Sequence, residues 1–338
     1  MKAAIFNGPM DITMEDVETP SIQSTDILIK VLSCGICGSD LHMYKLGLFT
    51  DIICRNSEAG PIPGHEYCGE IVEIGSEVQD LSVGDRVVAY GNGGFAEYVA
   101  VTAYPGFNVY RVPESISNKA AATLEPLGNS IHALMKGAHT GEETAMVFGA
   151  GIIGLGTIQC LRALDVKLKT LIAVDMSDKR LEMAKQLGAD EIINAKHEDP
   201  FERAKEMAGS FATGISLLPE VSLVNVIYDC VGLIKDRPGP SVIEQAVRII
   251  FRDGRIVVHG IFEAPASVDY SLLVAKEAQI IGSYGTSPED SAKAIDLMES
   301  GAVDRDGIIT HEFPLNQIKE AFDTQANTEE SIKVIVNP

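Results

Sequence analysis

The chain has 338 residues, enough for two domains, and its 46% hydrophobic and 22% charged residues are typical of a globular protein with a large core. A net charge of −21 without a dense basic patch argues against a nucleic-acid partner. No apolar stretch approaches the roughly 20 residues that span a bilayer, and the first residues lack the apolar run of a signal peptide. We therefore expect a cytoplasmic protein with no membrane partner.

The first 143 residues have the pattern of a mainly β domain. Short alternating runs separated by glycine-containing turns predict strands at 27–32, 69–74 and 86–89. The six cysteines are scattered along the sequence, so we expect reduced thiols, of which one or two at most are functional.

From residue 144 the pattern changes to alternating strands and helices. It predicts strands at 145–148, 171–175, 189–194, 224–232 and 254–261, and helices at 152–164 and 177–189. Continuous apolar strands that alternate with helices indicate a parallel sheet covered on both faces. Residues 209–222 are predicted to be an irregular insertion without an assigned role.

The last segment, 286–338, is predicted to begin as a helix and to end in a short strand at 331–337. We expect it to return to the first domain. The prediction is therefore an α/β protein with a β-rich domain at 1–143, a doubly wound parallel-sheet domain at 144–285 and a return segment.

A glycine fingerprint, GAGIIG, occupies residues 149–154 after a predicted strand and before a predicted helix. Gly149 permits a tight turn, Gly151 allows a pyrophosphate to approach the backbone, and Gly154 allows the helix to pack on the strand. The helix N-terminus would then meet the phosphates. A glycine turn without a ligand is the alternative interpretation.

An acidic residue, Asp175, ends the next predicted strand, 21 residues after Gly154. A carboxylate there can accept hydrogen bonds from the adenosine ribose and would repel a 2′-phosphate, so the sequence favours NAD over NADP. Arg180 follows five residues later. Either it flanks the adenine or it pairs with solvent or an acid.

Candidate metal ligands precede the fingerprint. The run CGICGSDLH contains Cys37, GHE contains His65 and Glu66, and Glu125 stands before Pro126. Taken singly, these could be a buried thiol, a core histidine and acids outside any site. Together a thiolate, an imidazole and a carboxylate ahead of a dinucleotide-type loop imply zinc-assisted hydride transfer.

The whole chain resembles the zinc-dependent medium-chain dehydrogenase/reductase family, which includes alcohol and polyol dehydrogenases. The resemblance is carried by CGICGSDLH, PGHEYCGEIVEIGSEV, GDRVVAYGNGGFAEYV, LEPLGNSIHA, VFGAGIIGLG and ITHEFPLNQIKEAF. It implies a GroES-like catalytic domain, formed by 1–143 and 286–338, that is interrupted by a Rossmann cofactor domain at 144–285.

The resemblance also implies the roles of site residues. Cys37 and His65 match zinc ligands, and Glu125 matches the third ligand of the polyol-type branches. Glu66 is either an exchangeable ligand or a residue that supports the ligands. Because the four-cysteine lobe of many relatives is absent from the sequence, we expect one catalytic zinc per chain.

A proton relay and a cofactor site are implied in the same way. Ser39 matches the hydroxyl that takes the alcohol proton, and His42 is placed to release it to solvent. We expect Asp40 to fix the ligand loop. The residues expected to bind NAD are Gly149, Gly151, Ile152, Ile153, Gly154, Asp175, Arg180, Val231, His259 and Ile261.

The resemblance thus implies an NAD oxidoreductase that interconverts a secondary alcohol and its ketone. Glu125, together with Tyr44 near the relay, favours a polyol, cyclitol, sugar or vicinal diol. A homo-oligomer, dimer or tetramer, is expected. The alternatives are a zinc-free quinone or enoyl reductase of the same superfamily and a non-enzymatic nucleotide-binding protein on this fold.

Overall fold

A computed structural model describes residues 1–215 and 218–338 of the chain. The chain divides into two compact units, one formed by Met1–Pro126 with Ser287–Pro338 and the other by Leu127–Thr286. The sequence analysis places the corresponding domain boundaries at 143/144 and 285/286. Among the described helices, none is both long and apolar enough to cross a membrane.

The elements follow one another along the chain. The first part contains β1 (Lys2–Gly8), β2 (Asp11–Asp16), β3 (Asp26–Gly35), α1 (Gly38–Leu46), α2 (Thr50–Ile53), β4 (Arg55–Ser57), β5 (Gly60–Ile62), β6 (Glu66–Ile74), β7 (Arg86–Ala89), β8 (Tyr98–Thr102), β9 (Val109–Arg111) and α3 (Asn118–Ala121).

Helix α4 (Leu124–Gly137) leads into the second part. It contains β10 (Glu143–Phe148), α5 (Ile152–Ala163), β11 (Leu168–Asp175), α6 (Asp178–Gln186), β12 (Glu191–Asn194), α7 (Pro200–Ala208), β13 (Ser210–Ile215), β14 (Leu218–Ser222), β15 (Val224–Asp229), β16 (Gly232–Leu233), α8 (Val242–Ile249), β17 (Ile250–Val258), β18 (Ile261–Phe262), α9 (Tyr270–Lys276) and β19 (Gln279–Gly282). The chain ends with α10 (Pro288–Glu299), β20 (Ile309–Pro314), a 3-10 turn (Leu315–Gln317), α11 (Ile318–Ala326) and β21 (Lys333–Asn337).

The first unit is built on a sheet in the order β20-β21-β3-β6-β7-β9, with β8 also paired to β3. Its core is apolar and rich in aromatic rings, including Tyr44, Phe95 and Phe322. Strand β3 lies between β21 and β6, so that Gly35 stands opposite both Ile335 and Glu66. This register brings the start of β6 close to the end of the chain.

The second unit contains a parallel sheet in the order β12-β11-β10-β15-β17-β19. The chain order runs outward from β10 in one direction and then from β15 in the other, which is the doubly wound arrangement. In such sheets ligands bind at the carboxyl ends of the strands, next to the point where the order reverses. The predicted α/β fold class is confirmed.

The prediction of an irregular insertion at 209–222 is wrong. Strands β13 and β14 pair antiparallel there, and Ser210 and Lys205 both bind the Glu220 carboxylate at 2.7 Å. The two short strands contain a glycine and a proline and lack the regular apolar alternation by which a strand is recognised. Residues 216 and 217, also part of that prediction, lie outside the described residues.

Candidate active site

Cys37 stands at the N-cap of α1, directly after the end of β3. The Cys37 N–H donates a hydrogen bond to Asp40 Oδ2 at 2.9 Å, and Asp40 is fully buried. A carboxylate that accepts from the N-cap backbone satisfies one of the free N–H groups at the helix start. The prediction that Asp40 fixes the ligand loop is confirmed.

His65 and Glu66 lie at the start of β6, beside Cys37. One potential ligand atom from each of the three side chains lies within 4.8 Å of the others. Glu66 is fully buried, whereas Cys37 and His65 are half-buried. The structure therefore brings together a thiol, an imidazole and a carboxylate from two separate segments, as the sequence predicts.

Glu66 also belongs to an ion pair. Lys333 Nζ donates to Glu66 Oε2 and, at 2.8 Å, to the Ile36 carbonyl. A Cβ atom at Gly35 would lie 2.6 Å from both Glu66 Oε2 and Lys333 Cε, so the pair occupies the space that the missing side chain leaves. Only glycine fits at this position.

The charges of the cluster shift its pKa values. Burial and the charge of Glu66 raise the pKa of the Cys37 thiol, and burial raises the pKa of the Asp40 carboxyl. Burial alone would lower the pKa of His65, but the charges of Asp40 and Cys37 raise it well above its usual value. The raised pKa of His65 reflects the acidic groups around it, whose charge a divalent cation would neutralise.

Two buried atoms of the cluster also support a bound cation. Within the described chain, His65 Nδ1 and Glu66 Oε1 are buried and make no hydrogen bond. Buried polar atoms are normally hydrogen-bonded, and an unmet one costs free energy. A thiolate, an imidazole and a carboxylate are the donors that zinc prefers, so these residues fit a zinc ion.

The other predicted residues of this region lie around the cluster. Ser39 Oγ is 3.4 Å from His65 Nε2, and His42 follows Ser39 by one turn of α1. Glu125 lies on the first turn of α4 and is outside the group within 4.8 Å, although its charge contributes to the raised pKa of His65.

The sequence analysis counts Tyr44, near the relay, in favour of a hydroxyl-rich substrate, but the structure buries its side chain. It is fully buried, and its hydroxyl donates to Asp323 Oδ1 at 2.8 Å and accepts from Lys319 Nζ at 3.0 Å. Its side chain points into the core because it lies on the inner face of α1, against Phe322. The argument for a hydroxyl-rich substrate therefore loses this support.

In the second unit the glycine loop joins β10 to α5. Gly149 has a φ of +88°, and a Cβ atom at Gly154 would lie 1.7 Å from the Gly149 carbonyl oxygen. Helix α5 begins at Ile152, so the N–H groups of Ile152 and Ile153 stand at its N-terminus. The loop has the geometry that allows an anion to meet a helix N-terminus.

Asp175 closes β11 and is tied to this loop. Its Oδ2 accepts from the Ala150 N–H at 2.7 Å, and its Oδ1 accepts from Met176 and Ser177 at 2.7 and 2.9 Å. A carboxylate offers about four acceptor sites, so it retains capacity for a ribose hydroxyl.

Arg180 lies closer to the loop than either sequence interpretation places it. Its Nη1 is the atom nearest to a Cβ built at Gly151, at 3.7 Å. The position that a side chain of Gly151 would occupy is therefore open, and the Arg180 guanidinium borders it. A positive charge there suits a pyrophosphate.

Val231, His259 and Ile261 follow the carboxyl ends of β15 and β17. His259 Nδ1 is 3.3 Å from Ser283 Oγ, and burial lowers the pKa of His259 to about 4. Ile261 pairs with Gly232 in a short parallel bridge. All three residues lie at the edge of the sheet where ligands bind in doubly wound folds.

The sequence analysis missed two residues that lie next to the predicted site residues. Lys333 is buried against Glu66, and Asp229 is buried at the end of β15. A lysine in the otherwise apolar run SIKVIVN was a signal for the first, because a buried lysine needs a partner. For Asp229 the signal was weaker, namely an acid at the end of a predicted strand.

Comparisons with known proteins identify the family of the chain. The alcohol dehydrogenase GroES-like domain family matches residues 23–114, and the zinc-binding dehydrogenase family matches residues 153–300. The chain is 31% identical over 376 residues to the erythritol/L-threitol dehydrogenase of Mycolicibacterium smegmatis, with 100% of this chain and 98% of that protein covered.

Two further proteins show the same likeness. The L-threonine 3-dehydrogenase of Paraburkholderia xenovorans is 29% identical over 360 residues, covering 96% of this chain and 95% of that protein. The crystal structure of 2R,3R-butanediol dehydrogenase from Bacillus subtilis matches with a TM-score of 0.83 and 28% identity, covering 100% of this chain and 99% of that chain. The chain therefore belongs to the zinc-dependent medium-chain dehydrogenase/reductase family and is a zinc- and NAD-dependent alcohol dehydrogenase.

Proposed function

We propose that Cys37 and His65 hold the catalytic zinc together with one carboxylate. The observation that carries this proposal is the group of Cys37, His65 and Glu66, whose potential ligand atoms lie within 4.8 Å of one another. Glu66 is the carboxylate already in place, and Glu125 is the alternative supported by the family resemblance. Three protein ligands leave a fourth position open for a substrate oxygen.

The protein's own groups move the proton. Ser39 Oγ takes the proton of the substrate hydroxyl, and His42, one helical turn further along α1, releases it to solvent. Asp40 keeps the start of the helix in place by holding the Cys37 N–H. When bound, zinc supplies the Lewis acidity that makes an alcohol a stronger acid, and NAD accepts the hydride.

The cofactor binds across the carboxyl ends of the second unit's strands in this proposal. The N–H groups of Ile152 and Ile153, with Gly151 and Arg180 beside them, would hold the pyrophosphate. Asp175 would accept from the adenosine ribose. Val231, His259 and Ile261 would hold the nicotinamide half.

The proposed substrate is a polyol, cyclitol, sugar or vicinal diol. Two relatives support this class by their names, the erythritol/L-threitol dehydrogenase and the 2R,3R-butanediol dehydrogenase. A second hydroxyl next to the reacting one would add binding energy at the reacting centre. The threonine dehydrogenase relative makes a vicinal amino alcohol the second candidate.

The test is a comparison of kcat/KM with NAD⁺ for ethanol, 2-butanol, 2,3-butanediol, erythritol, sorbitol, an inositol and L-threonine. The proposal expects a diol or polyol to exceed both monoalcohols by at least about tenfold. A monoalcohol that matches every diol and polyol would refute the substrate class. L-threonine as the fastest substrate would select the second candidate.

We also propose a homo-oligomer, either a dimer or a tetramer, in the cytoplasm. Strand β19 ends its sheet, and the large apolar side chains around it are exposed: Tyr270, Val274, Ile280 and Tyr284. An edge strand with exposed apolar side chains is a template for pairing with another chain. Light scattering of the wild type and of Ile280→Lys would test this surface, with a smaller assembly expected for the variant.

A further inference from the structure

Asp229 occupies the centre of the second unit's sheet. It is the last residue of β15 and pairs with Phe148 of β10 on one side and with Val258 of β17 on the other. Its side chain is fully buried. A buried carboxylate loses its hydration, which costs free energy unless hydrogen bonds replace the lost water.

Four backbone N–H groups converge on Asp229. Its Oδ1 accepts from Val231 at 3.0 Å and from Gly232 at 2.8 Å. Its carbonyl oxygen accepts from His259 and Gly260, both at 2.9 Å. One residue thus holds the loop that follows β15 and the loop that follows β17.

The loops that follow β15 and β17 and the glycine loop are closely packed against one another. A Cβ atom at Gly149 would lie 2.6 Å from Val231, and one at Gly260 would lie 2.0 Å from the Gly232 nitrogen. Gly232 itself has a φ of +75°. Because there is no free space between them, a shift of Val231 would pass directly to the glycine loop.

We propose that Asp229 is a positioning residue for the dinucleotide: its carboxylate holds Val231 and Gly232 where the nicotinamide half of NAD binds. The inference rests on the proposed placement of the cofactor. Within the described chain, Asp229 Oδ2 is buried and makes no hydrogen bond, so only one of its oxygens stabilises the loop. An apolar residue of similar size would leave the Val231 and Gly232 N–H groups without this acceptor.

The experiment is a fluorescence titration of the zinc-loaded holoenzyme with NADH, which measures cofactor binding apart from turnover. Asp229→Ala removes the acceptor and is expected to raise the Kd for NADH by at least about tenfold, with zinc content unchanged. Asp229→Asn keeps one acceptor oxygen and is expected to remain within about threefold of the wild type. If the alanine variant does not fold, Asp229→Thr replaces it, with an increase of at least about fivefold expected.

Asp190→Ala is the matched control. Asp190 Oδ2 also accepts a backbone N–H, from Leu171 at 2.7 Å, but at the amino-terminal end of β12. This variant is expected to bind NADH like the wild type. The proposal is wrong if Asp229→Ala, or Asp229→Thr in its place, binds NADH like the wild type, or if Asp190→Ala weakens binding as much.

Gly151→Val separates this proposal from the proposed cofactor site. Its side chain has room in the protein, since the nearest atom to its Cβ is 3.7 Å away, but it fills the space assigned to the pyrophosphate. Unchanged NADH affinity in this variant would refute the cofactor placement itself. Lost affinity in Gly151→Val with wild-type affinity in Asp229→Ala would refute only the role of Asp229.

Discussion

The ammonium group of Lys333 donates to Glu66 Oε2, and both side chains are fully buried although they are 267 residues apart in the sequence. The contact ties the last strand of the chain to the acid beside His65. The pair leaves Glu66 Oε1 without a hydrogen bond in the described chain, next to the thiol of Cys37. Lys333 therefore holds one oxygen of Glu66, and the other is the oxygen that the proposed zinc site would use.

Lys333→Met is expected to destabilise the zinc-loaded protein by about 3–5 kcal/mol, because it leaves the Glu66 charge buried without its partner. Urea unfolding at pH 7 measures the effect. The double variant Lys333→Met/Glu66→Gln removes both charges and should recover a large part of the loss. A loss below about 1 kcal/mol in the single variant would mean that the pair does not stabilise the fold.

Asp175→Ala is expected to lower the preference for NAD over NADP at least about tenfold, because the carboxylate accepts from the ribose and repels a 2′-phosphate. The loss also frees the Ala150 N–H, so the affinity for NAD itself should fall. Asp175→Asn keeps an acceptor for that N–H and separates the two effects. A wild type that turns over faster with NADP at equal low concentration would contradict the role of Asp175.

His42→Ala is expected to slow alcohol oxidation most at low pH while the zinc content stays the same. A lost relay group impairs deprotonation of the substrate, whereas a lost ligand would release the metal. The rate of NADH formation between pH 6 and 9, about the range of a histidine relay, is the measurement. If the pH–rate profile of the variant overlies that of the wild type, His42 is not part of the relay.

The side chain of His259 is expected to make the free energy of unfolding depend on pH. Burial lowers the pKa of His259 to about 4, with a smaller contribution from His132. In the unfolded chain the pKa is about 6.5, so the unfolded state binds the proton more readily and the folded state loses stability as the pH falls from about 6.5 to about 4.

His259→Gln removes this titration. Its free energy of unfolding should therefore fall less than that of the wild type over the same interval, by on the order of 2–3 kcal/mol. Chemical unfolding at several pH values measures the difference, and carboxylates that titrate in both proteins cancel. Parallel curves for the two proteins would contradict the lowered pKa.

Local patterns predicted much of the fold. The strand at 86–89 has the predicted bounds, and helix α5 begins at the predicted Ile152. Strands β11 and β17 begin earlier than predicted, at Leu168 and Ile250, because these two residues pair with Glu143 and Val224 of neighbouring strands. Pairing of this kind has no local signal in the sequence.

In the candidate site, too, some residues were predicted from local motifs and others were not. Cys37 and His65 lie in short motifs, and the family resemblance of these motifs implies zinc ligands before the fold is known. Lys333 and Asp229 act through contacts made by the folded sheets, so their roles depend on residues distant in sequence or on backbone groups. Tyr44 shows the opposite case, since its position near Ser39 and His42 in the sequence is interpreted as favouring a hydroxyl-rich substrate although its side chain turns into the core.

The zinc content of protein purified without chelator tests the central claim most directly. The account predicts one zinc per chain in the wild type, because the described residues contain one cluster of Cys37, His65 and a carboxylate and the sequence has no four-cysteine lobe. It also predicts none in Cys37→Ser measured in parallel. No zinc in the wild type after reconstitution, or two per chain, would contradict the account.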